Sequence, residues 1–295
     1  MSMDTQFNLF GLALTGNILA AFLPALLALI AITFGKQKAA LLLTGAACVI
    51  ALRVGVLNPI ALVGLACLFG LSYGFAHCQH NGGKMALGLA LFVVVVALLV
   101  HALPGFNNPL VTEAVLINDN AVPYAKHLNF DKLMVAIALM CFVMPSRLSA
   151  TVKDWQRIGL VSLATLLIGF GAGLTSGLVN FAPKWSEYFV GWALINLFVT
   201  CFAEEAFFRG FIQTQIAKVT QHLRFSRYYP LLFSGLLFGL AHFPAGFAYT
   251  GIATLLGLAC AYGYQKSHNL LVPIGIHFGF NLIHFCFFTY PFIAR

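Results

Sequence analysis

Residues 192–209 read WALINLFVTCFAEEAFFR, a mainly apolar run that ends with two adjacent glutamates, Glu204 and Glu205, and with Arg209. An apolar run of this length is typical of a helix that crosses a lipid bilayer. The whole chain of 295 residues has only 8 Asp and Glu, so two of them side by side in such a run are unusual. A carboxylate in a bilayer needs a partner, a proton or a water-filled cavity, and for that reason we treat both glutamates as functional candidates.

The composition indicates an all-α, polytopic membrane helix bundle. Hydrophobic residues make up 61% of the chain, charged residues 8%, and the mean hydropathy is +0.92, whereas soluble domains have about 25% charged residues. An outer-membrane β-barrel is excluded, because its strands would give alternating segments of about ten residues. The net charge of +8 comes from cations scattered singly between apolar spans, so it marks membrane topology and does not indicate a nucleic acid partner.

The hydropathy pattern predicts about 8–10 transmembrane helices. Residues 1–132 would form accessory N-terminal helices and an outer loop, and residues 133–295 a membrane core that carries polar motifs at about 190–289. The longest connection, residues 104–132, is too polar to cross the bilayer and is predicted to lie on the outer face. The predicted helices cover residues 9–33, 39–57, 59–76, 85–103, 133–146, 159–178, 188–208, 229–247, 249–264 and 270–289.

The distribution of lysine and arginine predicts the orientation of the helices. With the N-terminus outside, cations concentrate in the inner loops, as the positive-inside rule requires. Glu204 would then lie a few residues from the cytoplasmic end of its helix, and a site around it would open toward the cytoplasm. Short loops favour a bacterial inner (plasma) membrane. The inner loops would hold Lys36, Lys38, Lys84, Arg147, Lys153, Arg157, Arg209, Lys218, Arg224, Arg227 and Lys266, and the outer segments Lys126, Lys132, Lys184 and Arg295.

Three sets of polar and aromatic residues lie in the last four predicted helices. Side chains four residues apart share a helix face, so each set can present two groups on one side of its helix. Adjacent residues are rotated by about 100°, so the two glutamates point in different directions and can have different roles. The sets are Glu204, Glu205 and Arg209, then Phe238 and His242, then His277 and Asn281.

Together these side chains have the chemistry that water-mediated amide hydrolysis needs. Apolar surroundings raise the pKa of a carboxyl group, which suits a general base that works near neutral pH. A neighbouring histidine can hold the same water molecule. A histidine and an asparagine one turn apart can donate hydrogen bonds to a developing oxyanion, and a low dielectric strengthens these bonds.

In order and spacing, the three sets resemble the CPBP family, which contains CAAX prenyl endopeptidases, bacteriocin-processing enzymes and abortive-infection proteins. The resemblance covers about residues 190–289, and residues 105–108 and 129–132 of the outer loop also resemble a bacterial subgroup. It rests on the motifs Glu204-Glu205-x-x-x-Arg209, Phe238-x-x-x-His242 and His277-x-x-x-Asn281.

This resemblance implies an intramembrane glutamate protease that uses no metal and no cofactor. It implies Glu204 as the base that activates water and His242 as a group that orients this water. His277 and Asn281 would form the oxyanion hole. The partners would be the lipid bilayer and a peptide or protein substrate associated with it. The supporting residues would be Glu205 and Arg209, as a pair, and Phe238, which shapes the pocket.

Three other functions fit parts of the sequence. A family member without proteolytic activity would act as a membrane scaffold or immunity factor, and Glu204→Ala would then behave as the wild type. A transporter would use the same groups as a proton or cation relay, but repeated halves with broken helices are not evident. A zinc protease needs HExxH or an equivalent ligand spacing, which is absent, and Glu, His, His and Asn form a poor zinc set.

Structural roles compete with functional ones at several positions. Glu205 and Arg209 fit an ion pair at the membrane edge, and Asn281 alone fits a hydrogen bond between helices. His284 fits a partner behind the site, and Cys201 fits packing.

The predicted depth of His242 is a conflict within this scheme. His242 lies about 13 residues, or about 20 Å, from the start of its helix, too deep to meet a glutamate at the membrane edge. We therefore expect its helix to begin outside the bilayer and the glutamate helix to continue past Arg209, through residues 214–220.

Overall fold

The computed structural model describes residues 4–144 and 154–294, so Arg147, Lys153 and Arg295 of the topology prediction lie outside the described residues. The described part is mostly helical (68%) and contains ten helices, which confirms the all-α polytopic bundle. The helices are α1 (Gly16–Thr33), α2 (Gln37–Arg53), α3 (Ala61–His77), α4 (Asn81–Leu99), α5 (Phe130–Ala138, continued by the π-helix Leu139–Val143), α6 (Trp155–Thr175), α7 (Phe189–Thr220), α8 (Tyr229–Ala241), α9 (Phe247–Ser267) and α10 (Leu271–Phe287).

Several of these helices have the length and composition of membrane spans. Within residues 4–144 and 154–294, five helices are long and apolar enough to cross a membrane, namely α1, α4, α6, α7 and α9. Three shorter helices, α3, α8 and α10, are also apolar. The chain is therefore a multi-pass membrane protein, as the composition predicts.

Two short hairpins accompany the helices. Strands β1 (Phe7–Leu9) and β2 (Leu12–Leu14) pair antiparallel, and Phe10 and Gly11 between them have positive φ angles of 55° and 75°. Such angles are typical of the two-residue turns that match the strand twist. The predicted start of the first helix at residue 9 is therefore wrong, and α1 begins after Thr15, whose Oγ1 accepts a hydrogen bond from the Ile18 amide. The second hairpin, β3 (Leu110–Val115) and β4 (Tyr124–His127), lies within the long polar connection.

Helix α7 spans 32 residues and continues past Arg209 through residues 214–220, as the predicted depth of His242 led us to expect. Its hydropathy drops after Arg209, but the polar residues that follow have partners on α9. Gln213 donates to the Ala261 carbonyl over 2.9 Å, and the Thr214 hydroxyl lies 3.3 Å from that of Tyr264. These bonds explain why the helix continues past Arg209.

Helix α8 is shorter than predicted and ends at Ala241 instead of residue 247. Pro244 has no amide hydrogen for the helix ladder and disfavours helical geometry in the residue before it. Gly246 has a φ of +97°, which only glycine adopts readily. His242 therefore caps α8 and does not lie inside it.

The chain forms two compact units, and α7 contributes to both. The first unit comprises Met1–Thr112, Lys126–Ser146 and Phe198–Phe207, and the second Glu113–Ala125, Arg147–Leu197 and Phe208–Arg295.

In the first unit, α5 is the central helix. Phe130 and all residues from 133 to 139 are fully buried. Phe130 meets Phe22 of α1 edge-on, with ring centroids 5.2 Å apart. The helix also packs against α3, α4 and residues 202–205 of α7. Because α5 is enclosed on several sides, the residues of its first turn have little freedom to move.

In the second unit, α8 and α9 approach each other closely. A Cβ atom added to Gly235 would lie 2.6 Å from the Leu258 side chain, and one added to Gly257 would lie 2.8 Å from the Gly235 carbonyl oxygen. Small residues of this kind allow membrane helices to pack with their backbones near each other. The close approach brings the end of α8, with Phe238 and His242, against α9.

Candidate active site

Three aromatic rings of the predicted motifs meet in the second unit. Phe238, almost fully buried in α8, lies 4.7 Å from the His242 ring and 5.3 Å from the His277 ring, measured between centroids. The His277 ring is nearly perpendicular to that of Phe238, at 86°, an arrangement that aromatic pairs favour. The structure therefore brings the second and third motifs together around one phenylalanine.

The helix that precedes His242 orients its ring. Nδ1 lies 2.8 Å from the carbonyl oxygen of Phe238. A carbonyl oxygen only accepts hydrogen bonds, so Nδ1 donates, and Nε2 of the neutral ring is left as an acceptor. The ring also stacks on Tyr249, with centroids 5.8 Å apart. Held in this way, His242 can accept a hydrogen bond from a water molecule at Nε2.

Arg209 contacts the same phenylalanine. Its guanidinium carbon lies 4.7 Å from the centroid of the Phe238 ring, and its Nη2 donates to the Gly257 carbonyl over 2.7 Å. The side chain is fully buried, and a desolvated cation–π contact contributes about 2 kcal/mol. Arg209 therefore holds Phe238 in place, and through it the two histidine rings.

Asn281 forms a hydrogen bond to another helix. Its Nδ2 donates to Oδ1 of Asn196 on α7, over 3.2 Å. This is the hydrogen bond between helices that the structural interpretation of Asn281 predicts. An asparagine amide has two hydrogens, so one is available for another acceptor. Asn196 has its own signal in the sequence, since it is the single amide in the first half of the run 192–209.

The first unit contains both glutamates. Glu205 is fully buried, whereas the Glu204 side chain is 13% exposed. Glu204 Oε1 lies 3.8 Å from Nζ of Lys132, whose side chain is 18% exposed. Thr200 and Cys201 stand one turn before Glu204 on its own helix, so that turn contains no cation, but the first turn of α5 supplies one. An ammonium at this distance partly compensates the charge of a buried carboxylate.

A second lysine belongs to the same surroundings. Burial, and to a smaller extent the positive charge of Lys132, lower the pKa of Lys126, on β4, to about 8, and the Glu204 carboxylate opposes this shift. Lys126 is half-buried. Two lysines therefore influence one glutamate electrostatically, and both come from the connection that precedes α5 or from its first turn.

The contact between Lys132 and Glu204 contradicts part of the predicted topology. That prediction placed Lys132 on the outer face and Glu204 near the cytoplasmic end of its helix. Their charged atoms are nevertheless close, so the two placements cannot both be right. The physical reason is the length of α7, since Glu204 lies near the middle of a 32-residue helix and not a few residues from its end.

A family comparison covers the part of the chain that carries all three motifs. Residues 186–283 match the family model described as type II CAAX prenyl endopeptidase Rce1-like. These residues, about a third of the chain and called the Rce1-like segment below, are similar to this family. The match confirms the predicted family, and it implies a membrane protease, a hydrolase that acts on a peptide or protein. No curated protein and no solved structure matches the chain.

Cys201, inside the Rce1-like segment, and His284, one residue beyond its end, both have structural contacts. His284 lies with its Nε2 3.2 Å from the Thr289 carbonyl and its ring 5.2 Å from that of Tyr290, so it contacts the turn after α10. Cys201 is fully buried, as packing requires. Among residues 4–144 and 154–294, no group of three His, Cys, Asp or Glu side chains is placed to hold a metal ion.

Proposed function

We propose that the chain is an intramembrane endopeptidase that hydrolyses a peptide bond with water activated by Glu204, without a metal. The Rce1-like match over residues 186–283 carries this proposal. The contact of both histidine rings, His242 and His277, with the buried Phe238 ring supports it.

The proposed reaction begins with a water molecule held by Nε2 of His242. Glu204 takes a proton from this water, and the resulting hydroxide attacks the carbonyl carbon of the scissile peptide bond. The electrons of the C=O bond move to oxygen, and the oxyanion accepts hydrogen bonds from His277 and Asn281. Glu204 then transfers the proton to the amide nitrogen, and the C–N bond breaks to leave a carboxylic acid and an amine.

Glu205 and Arg209 have supporting roles in this proposal. Arg209 holds Phe238, which in turn contacts both histidine rings. Glu205 is fully buried beside the proposed base. Neither residue needs to touch the substrate.

The proposed substrate is a peptide or protein held at the membrane, reached from the cytoplasm of a bacterial cell. A cytoplasmic position for the polar end of α7 is favoured by Lys218 in its last turn and by Arg224 and Arg227 after it. A non-proteolytic scaffold or immunity factor of the same family is the alternative that the test must separate.

Quantitative proteomics of the membrane fraction tests the proposal. Cells that carry Glu204→Ala should accumulate a precursor that wild-type cells process. Glu187→Ala, at an exposed position of the same Rce1-like segment, is the matched control and should leave processing unchanged. If cells with Glu204→Ala have the same membrane proteome as the wild type, the proteolytic function is wrong and the scaffold interpretation is favoured.

A further inference from the structure

Lys132 lies outside the Rce1-like segment but beside its proposed base. Residues 186–283 include Glu204, whereas Lys132 is in the first turn of α5. The separation of 3.8 Å between Nζ and Oε1 exceeds the usual hydrogen-bond length of about 2.7–3.2 Å. At this distance Lys132 can therefore compensate the carboxylate charge without a direct hydrogen bond to it.

Hydrogen bonds to the buried Asp131 carboxylate fix the backbone from which Lys132 projects. The Asp131 side chain is 1% exposed, and its Oδ1 accepts from the Lys132 amide over 2.8 Å. Its Oδ2 accepts from Nδ1 of His101 over 2.6 Å and from Nδ2 of Asn108 over 3.1 Å. Both carboxylate oxygens of Asp131 are thus used to hold this turn.

The same asparagine also holds the start of the helix. Oδ1 of Asn108 accepts from the Phe130 amide over 2.8 Å. The Phe130 ring is fully buried against Phe22. Asn108 therefore links the beginning of the polar connection to the first turn of α5, and the position of Lys132 does not depend on its own side chain alone.

We propose that Lys132 is a positioning residue for Glu204, held at the glutamate by the Asp131 network. This proposal rests on the proposed function, in which Glu204 activates water. The ammonium keeps the carboxylate in one orientation and stabilises its charged form, which is the form that removes a proton from water. The polar connection is then part of the catalytic machinery and not only a link between helices.

Activity of Lys132 variants tests this role in cells. Processing of the precursor that accumulates with Glu204→Ala should slow at least about tenfold in Lys132→Met and Lys132→Gln, because a neutral side chain leaves the carboxylate charge uncompensated. Lys132→Arg keeps the charge and should restore processing to within about threefold of the wild type. Lys38→Met, at an exposed position of α2 in the same unit, is the matched control and should process normally.

The dependence of the rate on pH separates positioning from a merely structural role. In isolated membranes, the fall in the processing rate at acid pH should begin about one pH unit higher in Lys132→Gln than in the wild type, because loss of an adjacent cation favours protonation of the base. The variants leave the other titratable groups around this pair in its unit unchanged, namely Lys126, Glu205, Cys201, Asp131 and His101.

The possible outcomes distinguish this inference from the proposed function. If Glu204→Ala accumulates a precursor but both neutral Lys132 variants process it at the wild-type rate, the positioning role is wrong and the proposed function stands. The positioning role is also wrong if the neutral variants are slow with an unshifted pH profile, or if neither reaches the membrane, because Lys132 then serves folding. If Glu204→Ala accumulates nothing, the proposed function fails, and the inference fails with it.

Discussion

The amide of Asn281 on α10 donates to the side-chain oxygen of Asn196 on α7, with Nδ2 and Oδ1 3.2 Å apart. This bond leaves one Asn281 hydrogen for the proposed oxyanion. Asn196→Ala removes the acceptor, so the Asn281 amide is free to rotate. We therefore expect the processing rate to be about tenfold slower. Unfolding free energy should fall by only about 1 kcal/mol, as for other hydrogen bonds between membrane helices. Processing of the precursor in isolated membranes, with thermal unfolding in detergent, measures both effects.

Two results would contradict this prediction. An unchanged rate in Asn196→Ala would mean that the bond does not orient Asn281 for the reaction. A large loss of stability with a proportional loss of membrane protein would mean that the asparagine pair only holds helices together.

Arg209 should not tolerate lysine, although the charge is kept. The guanidinium lies over the Phe238 ring and donates to the Gly257 carbonyl, and an ammonium cannot reproduce this planar contact. We expect Arg209→Lys to lower the unfolding free energy by about 2 kcal/mol, measured by thermal unfolding in detergent. Arg224→Lys, at an exposed position, is the control and should unfold like the wild type. Equal stability of the two variants would argue against the role of Arg209 in holding Phe238.

Much of the fold could be predicted because hydropathy reports directly on membrane spans. The ten helices lie near their predicted positions, since each is an apolar run bounded by polar residues or glycine. The end of α7 does not follow from hydropathy alone, because Gln213 and Thr214 lower the hydropathy of the run. The depth of His242 predicts that the helix continues, and the bonds of these two residues to α9 give the physical cause.

The residues of the candidate site could be predicted only where they form motifs along one helix. Phe238, His242 and His277 were predicted from spacing, and the structure brings their rings together. Lys132 could not be found in this way, because it reaches Glu204 from a residue 72 positions earlier in the chain. Its signal is the sequence Asn-Phe-Asp-Lys at residues 129–132, which resembles a bacterial subgroup but does not by itself indicate a charge near the glutamate.

Gly239 should not accept even a methyl group. A Cβ atom there would lie 1.8 Å from Oγ1 of Thr254 and 2.9 Å from its Cα, so α8 and α9 would have to separate. We expect Gly239→Ala to lower the unfolding free energy by about 1–3 kcal/mol. Gly171→Ala on α6 is the control, because its Cβ would meet nothing within 4 Å and alanine favours helices. A wild-type melting temperature for Gly239→Ala would show that the two helices can move apart freely.

Lys126 should make stability depend on pH in a defined window. Burial lowers its pKa to about 8 from the usual 10.5, so between these values the unfolded chain binds more protons than the folded one. The unfolding free energy of the wild type should therefore rise as pH increases from about 8 to about 10.5. Lys126→Met lacks this contribution. Its unfolding free energy should therefore exceed that of the wild type below about pH 8, and this difference should disappear toward pH 10.5. Thermal unfolding of both proteins in detergent across this window measures the difference, and Lys38→Met should follow the wild type. Parallel curves for Lys126→Met and the wild type would mean that Lys126 keeps its ordinary pKa, and that the surroundings of Glu204 are better hydrated than the structure indicates.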